Sequence, residues 1–144
     1  MIYYEFTIEL TMSYCRLRHT GVCDILSIVA VFRRKTVTIA NGGNLSTAAD
    51  CNGLFLTGLS MPSAWTAANI TFSVSANDGA SFQNLYETDG TEMLWTVTVD
   101  NTYMMLPSRS LIGGITNIRV RSGTSATPVN QAAERTIILF FGGE

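Results

Sequence analysis

Charge is scarce in this chain. Lys, Arg, Asp and Glu together make 14% of its 144 residues, against roughly 25% in an ordinary soluble domain. There is one lysine, Lys35, and one histidine, His19. A protein that grips phosphates needs a basic face. Nine cations against eleven acids, a formal −2, supply none, so no nucleic-acid partner is expected. Long apolar runs are missing too. The longest, Ile25–Phe32, is broken by Ser27 and falls far short of the ~20 residues of a membrane-spanning helix, so no membrane partner is expected. No basic stretch follows Met1 and no small-residue cleavage site follows the run, so neither reads as a signal peptide. Cys15, Cys23 and Cys51 form no C-x-x-C pair. With a single His they are too few and too scattered for a zinc site. A Cys15–Cys23 disulfide stays open beside the simpler reading of free thiols.

What is present is apolar and hydroxyl-rich. Hydrophobic residues make up 47%, which excludes a disordered chain. Ser, Thr and Asn number 12, 18 and 9, so the polar surface is built mostly from neutral groups. Such groups cost less to desolvate than charges. Permanent subunit contacts, whose cores are charge-depleted, suit this composition, as does a hydrogen-bonding glycan site.

The chain changes character near residue 35. Residues 1–35 carry five cations and three acids, a net +2; residues 36–144 carry four Arg and eight acids, a net −4. Residues 2–11 alternate Ile2, Tyr4, Phe6, Ile8 and Leu10 with polar or aromatic neighbours, a strand pattern with one apolar face. Val22–Phe32 fits a buried strand or a short helix. Residues 1–34 therefore read either as an N-terminal arm or as a mis-assigned extension upstream of the true start, with the main domain at 35–144.

From Thr36 onward short strands follow one another. They are expected at Thr36–Ala40, Gly53–Leu59, Asn69–Ser75, Phe82–Tyr86, Glu92–Val99, Tyr103–Leu106, Asn117–Ser122 and Arg135–Phe141. Turn residues tolerant of positive φ separate them, at Asn41–Asn44, Asn77-Asp78-Gly79, Asp89-Gly90 and Asp100-Asn101. Pro107, which has no N–H for a ladder, stops the strand before it. In Glu92–Val99, Met93, Trp95, Val97 and Val99 share one face. In Asn117–Ser122, Ile118 and Val120 point in and Arg119 and Arg121 out. Leu45–Asp50 and Asn130–Glu134 can each form one helical turn at most. About eight strands at this spacing predict an all-β antiparallel sandwich of jelly-roll or galactose-binding-like type.

Chemistry is thin. Ser-His-Asp or Cys-His catalysis needs an imidazole, and His19 lies in the N-terminal segment beside Arg16 and Arg18. Glu87, Asp89 and Glu92 cluster, as a glycosidic acid pair would, but they flank a glycine turn where acids are usually solvated. No Gly-rich phosphate loop precedes a helix. The expectation is a non-enzymatic protein without a cofactor. Asn77, Asp78 and Asp89 offer oxygens to a hard cation, yet lack D-x-D-x-D spacing, and read as turn residues. For glycan binding, a flat aromatic ring is needed. Trp65, in the loop Met61–Trp65 before a strand, is the better placed of the two tryptophans, with polar neighbours at Asn77 and Asp78. Tyr86 and Tyr103 are further candidates. Trp65 and Trp95 read more readily as core than as ligand contacts, given their large apolar area.

Three runs carry a resemblance: W-T-A-A-x-I-T-F (Trp65–Phe72), S-x-x-D-G-x-x-F (Ser75–Phe82) and R-S-G-T-S-x-x-P-V-N-Q-A-A-x-R (Arg121–Arg135). Over roughly Lys35–Phe141 the chain resembles small virion proteins of tailed bacteriophages. Its S-x-x-D-G-x-x-F turn is also similar to a strand-turn-strand of galactose-binding-like (discoidin-type) sandwiches. The resemblance implies an accessory virion component, such as a capsid decoration protein, head fibre or tail-associated module. It would dock on other virion subunits as a homo-oligomer, a trimer among the options, and would reside in the virion and, during assembly, in the host cytoplasm. The alternative is a carbohydrate-binding module for host-surface glycans; a hydrolase using Glu87 and Glu92 is the third reading. Residues 1–34 have no counterpart in the resemblance.

Overall fold

The computed structural model describes residues 8–17, 23–105 and 114–143, with side chains from residue 31 onward. Ile2–Thr7, His19 and Pro107 lie outside the described residues. Ten strands follow in chain order: β1 Ile8–Leu17, β2 Cys23–Ile39, β3 Ala49–Asp50, β4 Phe55–Ser60, β5 Ile70–Ser75, β6 Gln83–Asn84, β7 Leu94–Trp95, β8 Tyr103–Met105, β9 Asn117–Ser122 and β10 Arg135–Gly143. No helix occurs among the described residues, and none is therefore long and apolar enough to cross a membrane.

The strands form two antiparallel sheets. One has the order β1-β2-β10-β4-β8; the other has the order β3-β9-β5-β6, with β7 also on β5. Setting β1 and β7 aside, the eight remaining strands, counted along the chain, lie 1-8-3-6 in one sheet and 2-7-4-5 in the other. That is the strand order of a jelly roll, two interlocked Greek keys. The fold is an all-β sandwich, as the train of short alternating segments predicts.

The core fills the space between the sheets. β2 contributes Val37 and Ile39, β4 Leu56 and Leu59, β5 Ile70 and Phe72, β9 Ile118 and Val120, and β10 Ile137, Leu139 and Phe141. Each fully buried side chain of this size contributes roughly 1.5–3 kcal/mol by leaving water. Among the described residues, Gln131 is the one large polar side chain sealed inside. Its amide donates to Ser122 Oγ at 2.7 Å and to the Thr66 carbonyl at 3.2 Å, and its Oε1 accepts from Thr66 N–H at 2.9 Å.

Of the two readings of Val22–Phe32, strand holds for the described part, from Cys23 onward. β2 runs without a break across the composition change at residue 35, pairing β1 through Phe32 and β10 from Val31 to Ile39. The expected eight-residue strand at Glu92–Val99 contracts to Leu94–Trp95. Its only partner edge, on β5, is already shared: β6 pairs with Ser73 and Val74, leaving Ile70 and Thr71 for β7. β5 itself is buried on both faces. Its Thr71 and Ser73 are buried, and the Thr71 hydroxyl donates to the Gly123 carbonyl of the loop after β9 at 2.9 Å.

Candidate functional site

In the sheet β1-β2-β10-β4-β8, the described side chains of β2, β10, β4 and β8 bury one face and expose the other. Strand alternation fixes which residues share the outer face. Ile137, Leu139 and Phe141 of β10 point inward, so Thr136, Ile138, Phe140 and Gly142 point outward. Their cross-strand partners complete three rows. The first is Phe32–Gly142–Phe55, the second Arg34–Phe140–Gly58–Met105 and the third Thr36–Ile138–Ser60–Tyr103. An extra residue, Thr57, bulges from β4 between the first two rows, where its Oγ donates to the Phe140 carbonyl at 3.0 Å. The bulge keeps Phe55 and Gly58 on one face although three positions separate them.

This face is largely apolar, and no described element covers it. Met105 is 68% exposed, Tyr103 52%, Phe32 50% and Phe55 41%. The Tyr103 and Phe140 rings stack at a tilt with centroids 4.6 Å apart, within the spacing favoured for aromatic pairs. Two glycines lower the floor between the rings. A Cβ on Gly142 would sit 3.3 Å from the Phe32 ring and from the Thr57 methyl, and one on Gly58 would collide with the Met104 carbonyl at 2.6 Å. Arg34 is the only charged residue in the three rows. The described part of the face offers half-exposed rings, hydroxyls and one cation. It can bind by apolar contact, ring stacking and hydrogen bonding.

Trp65 lies elsewhere. It is in the core, 9% exposed, with its indole N–H donating to the Ala68 carbonyl at 2.9 Å. A ring held this way offers no open face to a sugar, which corrects its reading as an exposed stacking residue. Its apolar area outweighs its loop position. Asn77 and Asp78 form the turn after β5, and Asp78 and Gly79 adopt positive φ of 55° and 81°. The Asn77 amide is used within the turn: Oδ1 accepts from Ser75 Oγ at 2.8 Å and from Ser81 N–H at 3.0 Å, and Nδ2 donates to Ser81 Oγ at 3.0 Å. Asp78 N–H donates to Thr116 Oγ1 at 2.9 Å. The structure brings neither residue to Trp65 through any hydrogen bond of this network.

The acids near Gly90 part company. Glu92 faces Arg121 at 3.1 Å, each side chain 12% exposed, and accepts from Ser125 N–H and Oγ at 2.9 and 3.0 Å. Asp89 is fully exposed; the Thr91 hydroxyl and backbone N–H, at 2.6 and 2.8 Å, hold its carboxyl below the usual range. Glu87 is exposed. Among the described residues, no three His, Cys, Asp or Glu side chains gather as metal ligands. Cys51 is buried, and desolvation, with the nearby Asp50 charge, pushes its thiol up to about 11.

Of the aromatic candidates in the sequence, Tyr103 joins the outer face and Tyr86, 51% exposed, sits on the opposite side of the sandwich beyond β6. Phe32, Phe55 and Phe140 were not legible as site residues. The first lies in the ambiguous N-terminal segment. The other two lie in apolar runs whose two faces look alike. Compared with protein-family models, curated proteins and solved structures, the chain matches none.

Proposed function

We propose that this protein is a non-enzymatic structural subunit that docks on other subunits of a larger particle through the outer face of its five-stranded sheet. The particle, on the resemblance of Lys35–Phe141, is a tailed-phage virion in which the chain serves as a decoration, fibre or tail-associated module. One observation carries the reading: Phe32, Phe55, Tyr103 and Met105 all stand exposed on one continuous face. Contiguous exposed apolar surface of this kind marks interaction sites, and aromatic and Met side chains are enriched in interface cores. The charge-poor composition supports it, because little charge must be stripped of water on docking. Mass spectrometry of purified particles of the encoding phage tests it. Many copies per particle are expected; particles lacking the chain would end the proposal.

The second reading is glycan binding. The half-exposed Tyr103 ring, stacked on Phe140 and paired with Ser60, favours it, since sugar rings pack on aromatic faces while hydroxyls hydrogen-bond. A glycan array with the full chain tests this reading. Binding lost in Tyr103→Ala would support it, and an array without hits would remove it.

A further inference from the structure

The sandwich carries a second exposed apolar cluster, on its other side. Leu94 of β7 pairs with Thr71, whose neighbours Ile70 and Phe72 point into the core, so Leu94 points outward from the sheet of β3, β9, β5, β6 and β7. Tyr86 bridges Glu92 two residues away. Tyr86 is 51% exposed and Leu94 40%. Between them the chain turns through Glu87, Asp89 and Gly90, all exposed. The Glu87 carbonyl accepts from Gly90 N–H at 3.0 Å, and its N–H donates to the Thr91 carbonyl at 2.8 Å, so the turn is firmly closed. Asp89 is anionic, its carboxyl occupied by Thr91.

The two clusters complement each other. Among the described side chains, the outer face of the sheet β1-β2-β10-β4-β8 has exposed rings and one cation, Arg34, directly opposite Phe140. The β6–β7 turn has an exposed ring, an exposed Leu and two carboxylates. Neither face is self-complementary in charge. A two-fold contact would set Arg34 near Arg34, or acid near acid.

We infer that a second copy of this chain covers the aromatic face, the acidic β6–β7 turn of one copy seating against Arg34 and Phe140 of the next. The inference rests on the docking reading above and names its partner. The contact joins two different faces, so it is heterologous. It closes into a ring or continues as a filament according to the rotation between copies. The charges set register and encounter rate, and the rings supply the buried area.

Sedimentation velocity of the full chain over a range of concentrations, at low and high salt, tests it. Reversible association that weakens with salt is expected. Arg34→Glu should weaken it about tenfold or more, as should the pair Glu87→Arg and Asp89→Arg, because each sets like charges together. All three substitutions combined should recover much of the loss, the outcome that mere surface damage cannot give. All three positions are exposed, so thermal melts should stay close to the parent. If a reversal does impair folding, Arg34→Gln, Glu87→Gln and their combination form a double-mutant cycle, in which the combined loss should fall short of the sum of the single losses. A chain that stays monomeric at every concentration overturns the inference, as does a triple variant no tighter than the single reversals. A monomeric chain still found in many copies per particle overturns the second-copy partner alone and leaves the docking reading standing.

Discussion

Arg121 reaches across from β9 to Glu92 just before β7, Nη1 to Oε1 at 3.1 Å, with both side chains 12% exposed. The same guanidinium donates through Nη2 to Asn84 Oδ1 of β6 at 2.8 Å. One side chain thus ties β9 to both short strands that share the free edge of β5. β6 and β7 make only two residue pairs each with β5, too few to hold them alone. The ion pair and the Ser125 contacts of Glu92 stand in for a ladder.

Glu92→Ala should therefore be costly. It leaves Arg121 nearly buried without its partner and Ser125 N–H without an acceptor. Breaking such a pair costs about 2–4 kcal/mol, somewhat below a fully buried one. Glu87→Ala, on the exposed turn, should change stability by no more than about 0.5 kcal/mol. Urea denaturation of the two variants compares them directly. Equal effects would show that Glu92 has no structural hold on this edge.

The sequence reading succeeded where alternation was strict. β9, Asn117–Ser122, matches its expected span, and its Ile118 and Val120 are buried while Arg119 and Arg121 face outward. Arg119 packs over the Phe82 ring, 3.8 Å from its centroid. Alternation alone could not limit the strand at Glu92–Val99, because its length is set by how much of β5 remains unpaired. Nor could it reveal the outer aromatic face. In Arg135–Phe141 both Ile137, Leu139, Phe141 and Ile138, Phe140 are apolar, so the run reads as buried on both sides. Only the sheet order, with no described element over that face, shows that Phe140 and its neighbours are uncovered. At Trp65 the core reading prevails over the loop position: the Met61–Ala68 segment closes on the core and leaves the indole 9% exposed.

The Cys51 thiol sets a pH dependence. Its folded pKa, about 11, lies above the ordinary value of an unfolded thiol. The protonated form is favoured in the folded state, so this contribution is complete below the unfolded pKa and is lost as pH rises through the folded one. The window runs from 9.0, the ordinary value, to about 11. Other groups titrate there too, so the useful quantity is the stability gap between the parent and Cys51→Ala. That gap should narrow as pH rises from 9 to 11, measured by chemical denaturation at each pH. A constant gap would show that burial does not raise this thiol.

Gln131 should tolerate almost nothing. Gln131→Leu preserves bulk but strands the Thr66 N–H, which has the Gln131 Oε1 as acceptor, and removes the donor to Ser122 Oγ. Gln131→Ala adds a cavity. Leaving buried polar groups unpaired costs about 1–3 kcal/mol, and the cavity adds to this in the alanine variant. Thermal melts should rank parent, Leu variant, Ala variant in falling order. A Leu variant as stable as the parent would mean water replaces the amide at no cost.

Gly90 and Gly123 share a φ of +84° but differ in what surrounds them. A Cβ on Gly90 meets nothing within 4 Å, whereas on Gly123 it would lie 2.5 Å from the Thr127 carbonyl oxygen, 2.8 Å from Val129 N and 3.0 Å from Pro128 Cα. All three obstacles are backbone, in the Ser/Thr/Pro loop that folds back so that Val129 N–H reaches the Ser122 carbonyl at 2.9 Å. Gly90→Ala should cost only the left-handed backbone term, about 1–2 kcal/mol. Gly123→Ala adds a clash that no side-chain rotation relieves. It also displaces the Gly123 carbonyl from the buried Thr71 hydroxyl that donates to it at 2.9 Å. Its cost should exceed that of Gly90→Ala by about 2 kcal/mol or more, in line with overpacking of a closed interior. Paired equilibrium unfolding curves decide it, since the shared φ cancels in the difference and the remainder reports the closeness of the loop to β5.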